Sequence, residues 1–241
     1  MVQRDREMLR STVRFSSLAD DVYLHSGYPT LDSDAVFFGP DTYRFVRLAI
    51  ETLKQRPQVP VSRIIDVCCG SGAGGLAVAT QLGFKDGCSV ILSDINPKAL
   101  RFASVNAMLA NLPDVQVVQA DLFTGLPSAD VIIANPPYLV DASGRTYRHG
   151  GVNLGTNLAV RIAIEGVSRL KSRGCLILYT GAPILAGEDR LWAELSPKLQ
   201  KLDRDYTYEE LDPDVFGEEL EQPAYAEVER IALVALVIQA P

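Results

Sequence analysis

The feature that most constrains the fold of this chain is a regular alternation of short apolar runs and helical segments that begins near residue 62. The strand-like runs RIIDV, SVILSD, VQVVQAD, DVIIAN and GCLILYT are interspersed with segments whose apolar residues recur at helical spacing. One of these helices has a well-formed start, with Asn96 as its cap and Pro97 in its first turn. Because a helix between two strands returns the chain for parallel pairing, the pattern predicts an α/β protein with a doubly wound, mostly parallel sheet.

The chain changes character on either side of this region. Residues 202–210 and 229–239 have strand patterns with no helical pattern between them, which predicts a C-terminal antiparallel strand pair and a seven-stranded sheet. Before residue 62 there is length for about two helices, of which PDTYRFVRLAIETL is amphipathic. We therefore expect an N-terminal extension over residues 1–40 and the main domain over residues 41–241. Residues 26–40 form either a lid over a ligand or a loop that holds the N-terminus.

Composition is that of a globular protein, with 47% hydrophobic residues. No apolar run is long enough to cross a bilayer, and the charged start MVQRDREMLR lacks a secretory signal. The four cysteines have no paired metal-ligand spacing, and two histidines are too few for an all-histidine metal centre. We expect a cytoplasmic protein with reduced cysteines, no membrane association and no metal site.

The net charge of −7 at pH 7 bears on the partner. Enzymes that act on nucleic acids usually carry basic faces that neutralise phosphates, and no stretch rich in lysine and arginine occurs here. The charge therefore favours a protein or a small molecule as substrate. It disfavours RNA and DNA without excluding them.

A strand that runs into a glycine-rich turn, IIDVCCGSGAGG, allows two interpretations. Gly70, Gly72 and Gly75 satisfy the dinucleotide fingerprint GxGxxG, and Asp94 lies where such folds place a ribose-binding carboxylate. A nicotinamide-dependent oxidoreductase is thus one hypothesis. Asp66 argues against it, because a carboxylate at the end of this strand repels a diphosphate and suits a cationic ligand.

S-adenosylmethionine is such a ligand, since it carries an ammonium and a sulfonium group and no phosphate. Asp66, Asp94 and Asp121 end three consecutive predicted strands, at the edge where open α/β sheets bind ligands. In this interpretation the glycines let the backbone approach the methionine and ribose portions. Asp94 accepts the ribose hydroxyls, and Asp121 binds the adenine amine. The alternative is that each aspartate is only a helix cap or a turn former.

The run VIIANPPY ends a fourth strand at a polar corner. Pro136 and Pro137 have no backbone N–H, so a central strand cannot continue through them. Asn135 either forms the turn or, beside a methyl donor, accepts a hydrogen bond from a planar nitrogen. The Asn135 side chain and the Pro136 carbonyl would orient that nitrogen and stabilise its developing positive charge. Tyr138 would stack on the flat group that carries it.

Together these segments resemble a known family. DVCCGSGAGGLAVA, SDINPKALRFASVNAMLA, ADLF and IIANPPY look like the ordered motifs of class I S-adenosylmethionine-dependent methyltransferases. The resemblance is to the branch of the release-factor glutamine methyltransferases and the methyltransferase small domain enzymes, and it includes the flanking segments FFGPDTYRFVRLA and YRHGGVNLGTNLAVRI. It covers roughly residues 35–180 and implies a Rossmann-like methyltransferase fold with S-adenosylmethionine as cofactor.

The resemblance also implies roles for individual residues. It implies cofactor contacts from Asp66, Cys68, Gly70, Gly72, Asp94, Ile95, Asp121, Leu122 and Asn135. It implies a reaction motif made of Asn135, Pro136, Pro137 and Tyr138. Cys68 stands where the family usually has glycine. The segment before residue 35 is shorter than the helical domain with which release-factor enzymes dock, which argues against release factor itself as the substrate.

Several functions stay open at this point. The leading hypothesis is S-adenosylmethionine-dependent N-methylation of an amide or amine nitrogen on a protein side chain or a small molecule. Methylation of an exocyclic base amine in RNA or DNA would use the same motif chemistry. A nicotinamide-dependent oxidoreductase and a non-catalytic relative that only binds partners are the remaining alternatives.

Overall fold

The structure is a computed structural model that describes residues 2–5, 8–56, 60–84, 87–141 and 144–241. The α-helices in these ranges are α1 (Pro40–Gln55), α2 (Ala73–Gln81), α3 (Pro97–Ala110), α4 (Asn157–Val167) and α5 (Arg190–Gln200). The strands are β1 (Val2–Asp5), β2 (Met8–Ser11), β3 (Val13–Leu18), β4 (Asp21–Ser26), β5 (Arg63–Val67), β6 (Ser89–Asp94), β7 (Val115–Gln119), β8 (Ala129–Ala134), β9 (Leu170–Leu185), β10 (Glu188–Asp189), β11 (Asp205–Asp212) and β12 (Arg230–Gln239).

The main sheet has the strand order β11-β12-β9-β8-β5-β6-β7, and the short β10 pairs with β9 off this path. β5 is the middle one of the five parallel strands and pairs with β6 on one side and β8 on the other. The outer pairs β6–β7 and β8–β9 are parallel as well. β12 pairs antiparallel with both β9 and β11. The predicted doubly wound sheet with a C-terminal antiparallel strand pair is confirmed.

Helices cover both faces of this sheet. Ile64 and Ile65 are adjacent in β5, so their side chains point to opposite faces of the sheet. Both are fully buried, which shows that both faces are covered. The Ile64 face packs against α1 and α2, whereas the Ile65 face packs against α4 and α5. Such double coverage explains why the central strands are apolar throughout. Within the described segments, no helix has the length and apolar character that a bilayer crossing requires.

In the described part of the N-terminal region, the amphipathic segment PDTYRFVRLAIETL forms helix α1. Residues 13–26 form the antiparallel hairpin β3–β4, which the sequence patterns did not predict. The hairpin is held on α3 by the buried Asn106, whose side chain accepts from the N–H of Leu24 at 2.7 Å and donates to its carbonyl at 3.0 Å. The same amide donates to the Ser71 carbonyl at 2.8 Å, which links the hairpin to the glycine-rich turn.

Helix α5 is an element that the sequence patterns did not predict. Its buried side is a row at four-residue spacing, Leu191, Leu195 and Leu199, and Asp189 caps its start by accepting from the Trp192 N–H at 2.8 Å. Pro197 lies inside the helix and interrupts the helical signal in the sequence. The helix forms because its leucine row packs on the sheet.

Candidate active site

A cavity of about 790 Å³ opens at the carboxyl ends of the central parallel strands. β6 lies on one side of β5 and β8 on the other, so the chain order reverses at this point of the sheet. Open α/β sheets bind ligands at such a switch point. The predicted site residues that the structure brings together in its wall are Asp66, Cys68, Gly70, Asp94, Ile95, Asp121, Leu122, Asn135, Pro136, Pro137 and Tyr138. Gly72 is the predicted residue that lies outside the wall.

The glycine-rich turn between β5 and α2 uses its glycines for two purposes. Cys68, Gly70 and Gly72 have left-handed φ angles of 57°, 55° and 77°. A Cβ on Gly70 would meet only a methyl group of Val36, at 3.8 Å, so this glycine leaves open space for a ligand. A Cβ on Gly72 would lie 2.8 Å from a methyl group of Leu92, so this glycine lets the turn pack on β6. A cofactor contact of Gly72 stays a prediction.

Asp94, at the end of β6, holds the turn in place. Its Oδ2 accepts from the Gly70 N–H at 2.8 Å, and its Oδ1 accepts from the Asn96 N–H at 2.8 Å. Burial raises the pKa of Asp94, and these backbone donors oppose the rise. A carboxylate has about four acceptor positions, so the backbone donors of Gly70, Asn96 and Ile95 leave room for a further donor. The arrangement is compatible with the predicted ribose contact.

Asp66 lies deeper, with 2% of its surface exposed. Its Oδ2 accepts from the Gly75 N–H in the first turns of α2 at 2.7 Å. Burial raises its pKa to about 7; the Gly75 N–H lowers it and the nearby charge of Asp94 raises it. Burial makes the charged form of this carboxyl group unfavourable, and a cation bound beside it would stabilise the charged form. The environment of Asp66 therefore fits the ammonium group of S-adenosylmethionine better than a pyrophosphate.

The rim beyond β7 combines a carboxylate with apolar side chains. Asp121 is 57% exposed at its side chain and lies 3.5 Å from Nη1 of Arg161. Ile95 is 61% exposed in the cavity wall, and Leu122 is buried beneath the rim. An apolar surface with one carboxylate at its edge suits a flat heterocycle that carries an amino group. This geometry is compatible with the predicted adenine contact of Asp121.

Asn135 follows β8 and lies next to the glycine-rich turn, because Ala134 pairs with Val67 at the ends of the two strands. An asparagine that only forms a turn bonds to the backbone near it. Among the described residues, the Asn135 side chain has no hydrogen-bond partner. Its amide is thus available to a ligand in the cavity.

Tyr138 is held by contacts from three parts of the chain. Its hydroxyl donates to Asp41 in the first turn of α1, and Asp41 also accepts from the hydroxyl of Tyr179 at 3.1 Å. Its ring packs on Gly181, where any side chain would collide with it, and meets Phe216 edge-on at 6.0 Å between ring centres. Burial, with the charge of Asp41, raises the pKa of Tyr138 well above its usual range. The residue is therefore a neutral phenol.

The opposite wall of the cavity comes from residues for which the sequence predicted no individual roles. Residues 28–31 and 35–37 line it, and so does Tyr147 from the loop after the Asn-Pro-Pro-Tyr motif. Phe37 stacks on Tyr147 with 5.7 Å between ring centres, and the Tyr147 hydroxyl donates to the Thr30 carbonyl at 3.1 Å. The aromatic and turn residues of SGYPTLDSDAVFFGP are the sequence signal for this wall. That residues 26–40 act as a lid stays a prediction.

The motifs and the cavity agree with a comparison against known families. The methyltransferase small domain family matches this chain over residues 35–183. The chain belongs to this family. It is 33% identical over 193 residues to the release factor glutamine methyltransferase of Deinococcus radiodurans, covering 73% of this chain and 66% of that protein. It is 35% identical over 140 residues to the ribosomal protein uL3 glutamine methyltransferase of Bordetella pertussis, covering 52% of this chain and 46% of that protein. The chain thus spans less than two thirds of the length of either relative.

Solved structures confirm the fold. An S-adenosylmethionine-dependent methyltransferase from Agrobacterium tumefaciens has a TM-score of 0.62 at 15% identity, covering 99% of this chain and 73% of that one. TYW2 of M. jannaschii in complex with AdoMet has a TM-score of 0.60 at 14% identity, covering 95% of this chain and 86% of that one. The predicted family and the Rossmann-like methyltransferase fold are confirmed. Family membership also decides against the nicotinamide-dependent oxidoreductase.

Proposed function

We propose that this chain is an S-adenosylmethionine-dependent N-methyltransferase whose acceptor is the side-chain amide nitrogen of a glutamine in a protein. The observation that carries the proposal is the amide of Asn135, which has no hydrogen-bond partner among the described residues and lies in one cavity with Asp66 and Asp94. The named activities of the two relatives above, both glutamine methyltransferases, support the acceptor class.

The cavity residues divide into a cofactor half and an acceptor half. Asp66 would hold the ammonium group of S-adenosylmethionine, Asp94 the ribose hydroxyls and Asp121 the adenine amine. When bound, S-adenosylmethionine supplies the methyl group as an electrophilic carbon on a sulfonium. Asn135 would then lie beside that carbon, because it follows the strand that neighbours β5.

An amide nitrogen is a weak nucleophile because its lone pair is delocalised into the carbonyl. The side-chain oxygen of Asn135 and the carbonyl of Pro136 would each accept one N–H of the glutamine amide. Two such acceptors fix the nitrogen for in-line attack and stabilise the positive charge that develops on it. Tyr138 stays neutral, so it acts as a flat wall for the amide and not as a base. As the nitrogen takes the methyl group, the methyl–sulfur bond would break, S-adenosylhomocysteine would leave and the nitrogen would lose one proton to solvent.

The charge of the cavity favours a protein over a nucleic acid as the acceptor. The described arginines that line it are all engaged by carboxylates, in the pairs Arg145–Asp141, Arg148–Glu219 and Arg161–Asp121. Binding of a nucleic acid depends on lysine and arginine side chains that neutralise its phosphates and release the counterions condensed on them. Paired arginines in a chain of net charge −7 supply few of these.

The proposal is tested by transfer of a labelled methyl group. The purified chain is incubated with methyl-labelled S-adenosylmethionine and a fractionated lysate, and in parallel with purified release factor and ribosomal protein uL3. We expect protease-sensitive label, located by peptide mass spectrometry on a glutamine side chain. Label that is sensitive only to nucleases would reject the proposal and would support the alternative of base methylation.

A further inference from the structure

A buried carboxyl group outside the predicted motifs holds the last residue of the Asn-Pro-Pro-Tyr motif. Asp41 is 8% exposed and lies in the first turn of α1, where the helix dipole favours a negative charge. One of its oxygens accepts from the Tyr138 hydroxyl, and the other accepts from Tyr179 on β9. Asp41 is also part of the cavity wall. It therefore connects α1 to the acceptor half of the site.

The contacts of Tyr138 leave its ring little freedom. Gly181 allows the ring to lie directly on β9, and Phe216 meets it from the side. These apolar contacts limit the tilt of the ring, while the bond to Asp41 fixes the position of its hydroxyl end. A tyrosine side chain has two main torsions. The bond to Asp41 fixes χ1, because the hydroxyl oxygen lies on the axis of χ2, and the contacts with Gly181 and Phe216 fix χ2.

The direction of the Tyr138 hydroxyl has a chemical consequence. Its single proton is donated to Asp41, so it is not available as a donor to a substrate in the cavity. An acceptor amide would then be oriented by Asn135 and Pro136, with the Tyr138 ring as a flat surface beside it.

We propose that Asp41 is a positioning residue, which orients the Tyr138 ring as the stacking wall of the acceptor site and keeps its hydroxyl away from the substrate. This inference rests on the proposed N-methyltransferase function. Asp41 acts through Tyr138 and does not itself touch the reacting atoms. Tyr179 provides a matched control, because it bonds to the same carboxyl group without belonging to the motif.

A double-mutant cycle tests the coupling of the two residues. Small misplacements of a reacting group cost about 10- to 100-fold in rate. We expect Asp41→Ala and Tyr138→Phe each to lower kcat by about this factor, with the Kd for S-adenosylhomocysteine changed less than about twofold. The double variant should fall no further than either single variant. Asp41→Asn should recover part of kcat, because its oxygen can still accept from Tyr138, and Tyr179→Phe should keep kcat within about threefold of the wild type.

The inference would be overturned if the losses of kcat in Asp41→Ala and Tyr138→Phe multiplied in the double variant. It would also be overturned if Tyr179→Phe lost as much kcat as Asp41→Ala. A wild-type protein without methyl transfer would reject the proposed function instead. In that case the positioning role is read from NMR of ring-labelled tyrosine. Loss of the nuclear Overhauser contacts between the Tyr138 and Phe216 rings in Asp41→Ala, with these contacts kept in Tyr179→Phe, would support it. Unchanged contacts in Asp41→Ala would overturn it.

Discussion

Replacing Asp66 by asparagine should remove a pH dependence of stability that is built into the cofactor half of the site. Burial raises the pKa of Asp66 from 3.8 to about 7. The folded protein without cofactor therefore holds a proton up to about pH 7, whereas the unfolded chain releases it near pH 4. The stabilising contribution of this proton is fully present below about pH 4, and it is lost as the pH rises towards 7.

The size of the effect follows from the difference between the two pKa values. Each pH unit across this span changes the free energy of unfolding by about 1.4 kcal/mol, so about three units amount to about 4 kcal/mol. The group is 2% exposed, so solvent screens it little. The asparagine side chain of the variant does not ionise, and its oxygen can accept the Gly75 N–H as Asp66 does. Relative to the wild type, Asp66→Asn should gain about 4 kcal/mol of stability between about pH 4 and pH 8.

The measurement is urea unfolding followed by far-ultraviolet circular dichroism, on both proteins without cofactor, from about pH 4.5 to about pH 8.5. Other titrating groups are common to the two proteins and cancel in the difference. A difference in unfolding free energy that stays constant over this range would refute the buried, protonated carboxyl group. We also expect the affinity for S-adenosylmethionine to rise with pH up to about 7 in the wild type and to depend less on pH in Asp66→Asn, where Asp94 is the remaining proposed cofactor carboxyl group with a raised pKa.

Three further substitutions probe the site and its supports. Asn135→Ala should still bind S-adenosylhomocysteine in calorimetry but should lose about 100-fold or more in turnover, since removing one hydrogen-bonding group that stabilises developing charge typically costs that much. Full turnover in this variant would contradict the proposed role of Asn135. Gly70→Ala should weaken cofactor binding at least about tenfold, because the new methyl group enters the cavity from a left-handed backbone; unchanged binding would show that the cofactor lies elsewhere. Asn106→Ala should lower the unfolding free energy by about 2–4 kcal/mol, since it leaves buried polar groups of Leu24 and Ser71 without partners. Urea unfolding checks the last, and a change below about 1 kcal/mol would contradict it.

The parts of the fold that were predicted correctly have strong local signals. Parallel strands with both faces buried are short runs of apolar residues, and their carboxyl ends lie at one edge of the sheet. This is why the sequence alone predicts that Asp66, Asp94 and Asn135 lie together. The hairpin β3–β4 was not predicted, because its turn uses Ala19 with a φ of 53° in place of the glycine or asparagine that marks such turns.

The amino-acid sequence by itself determined the strands of the sheet, the proposed cofactor residues at their ends and the Asn-Pro-Pro-Tyr corner, because each of these is encoded within one strand and the turn that follows it. Only the tertiary structure decided how the proposed acceptor half of the cavity is built. Asp41 meets Tyr138 across 97 positions of the chain, and Thr30 meets Tyr147 across 117. Contacts between residues so far apart have no periodic signature, because they depend on how α1 and the loops pack on the finished sheet.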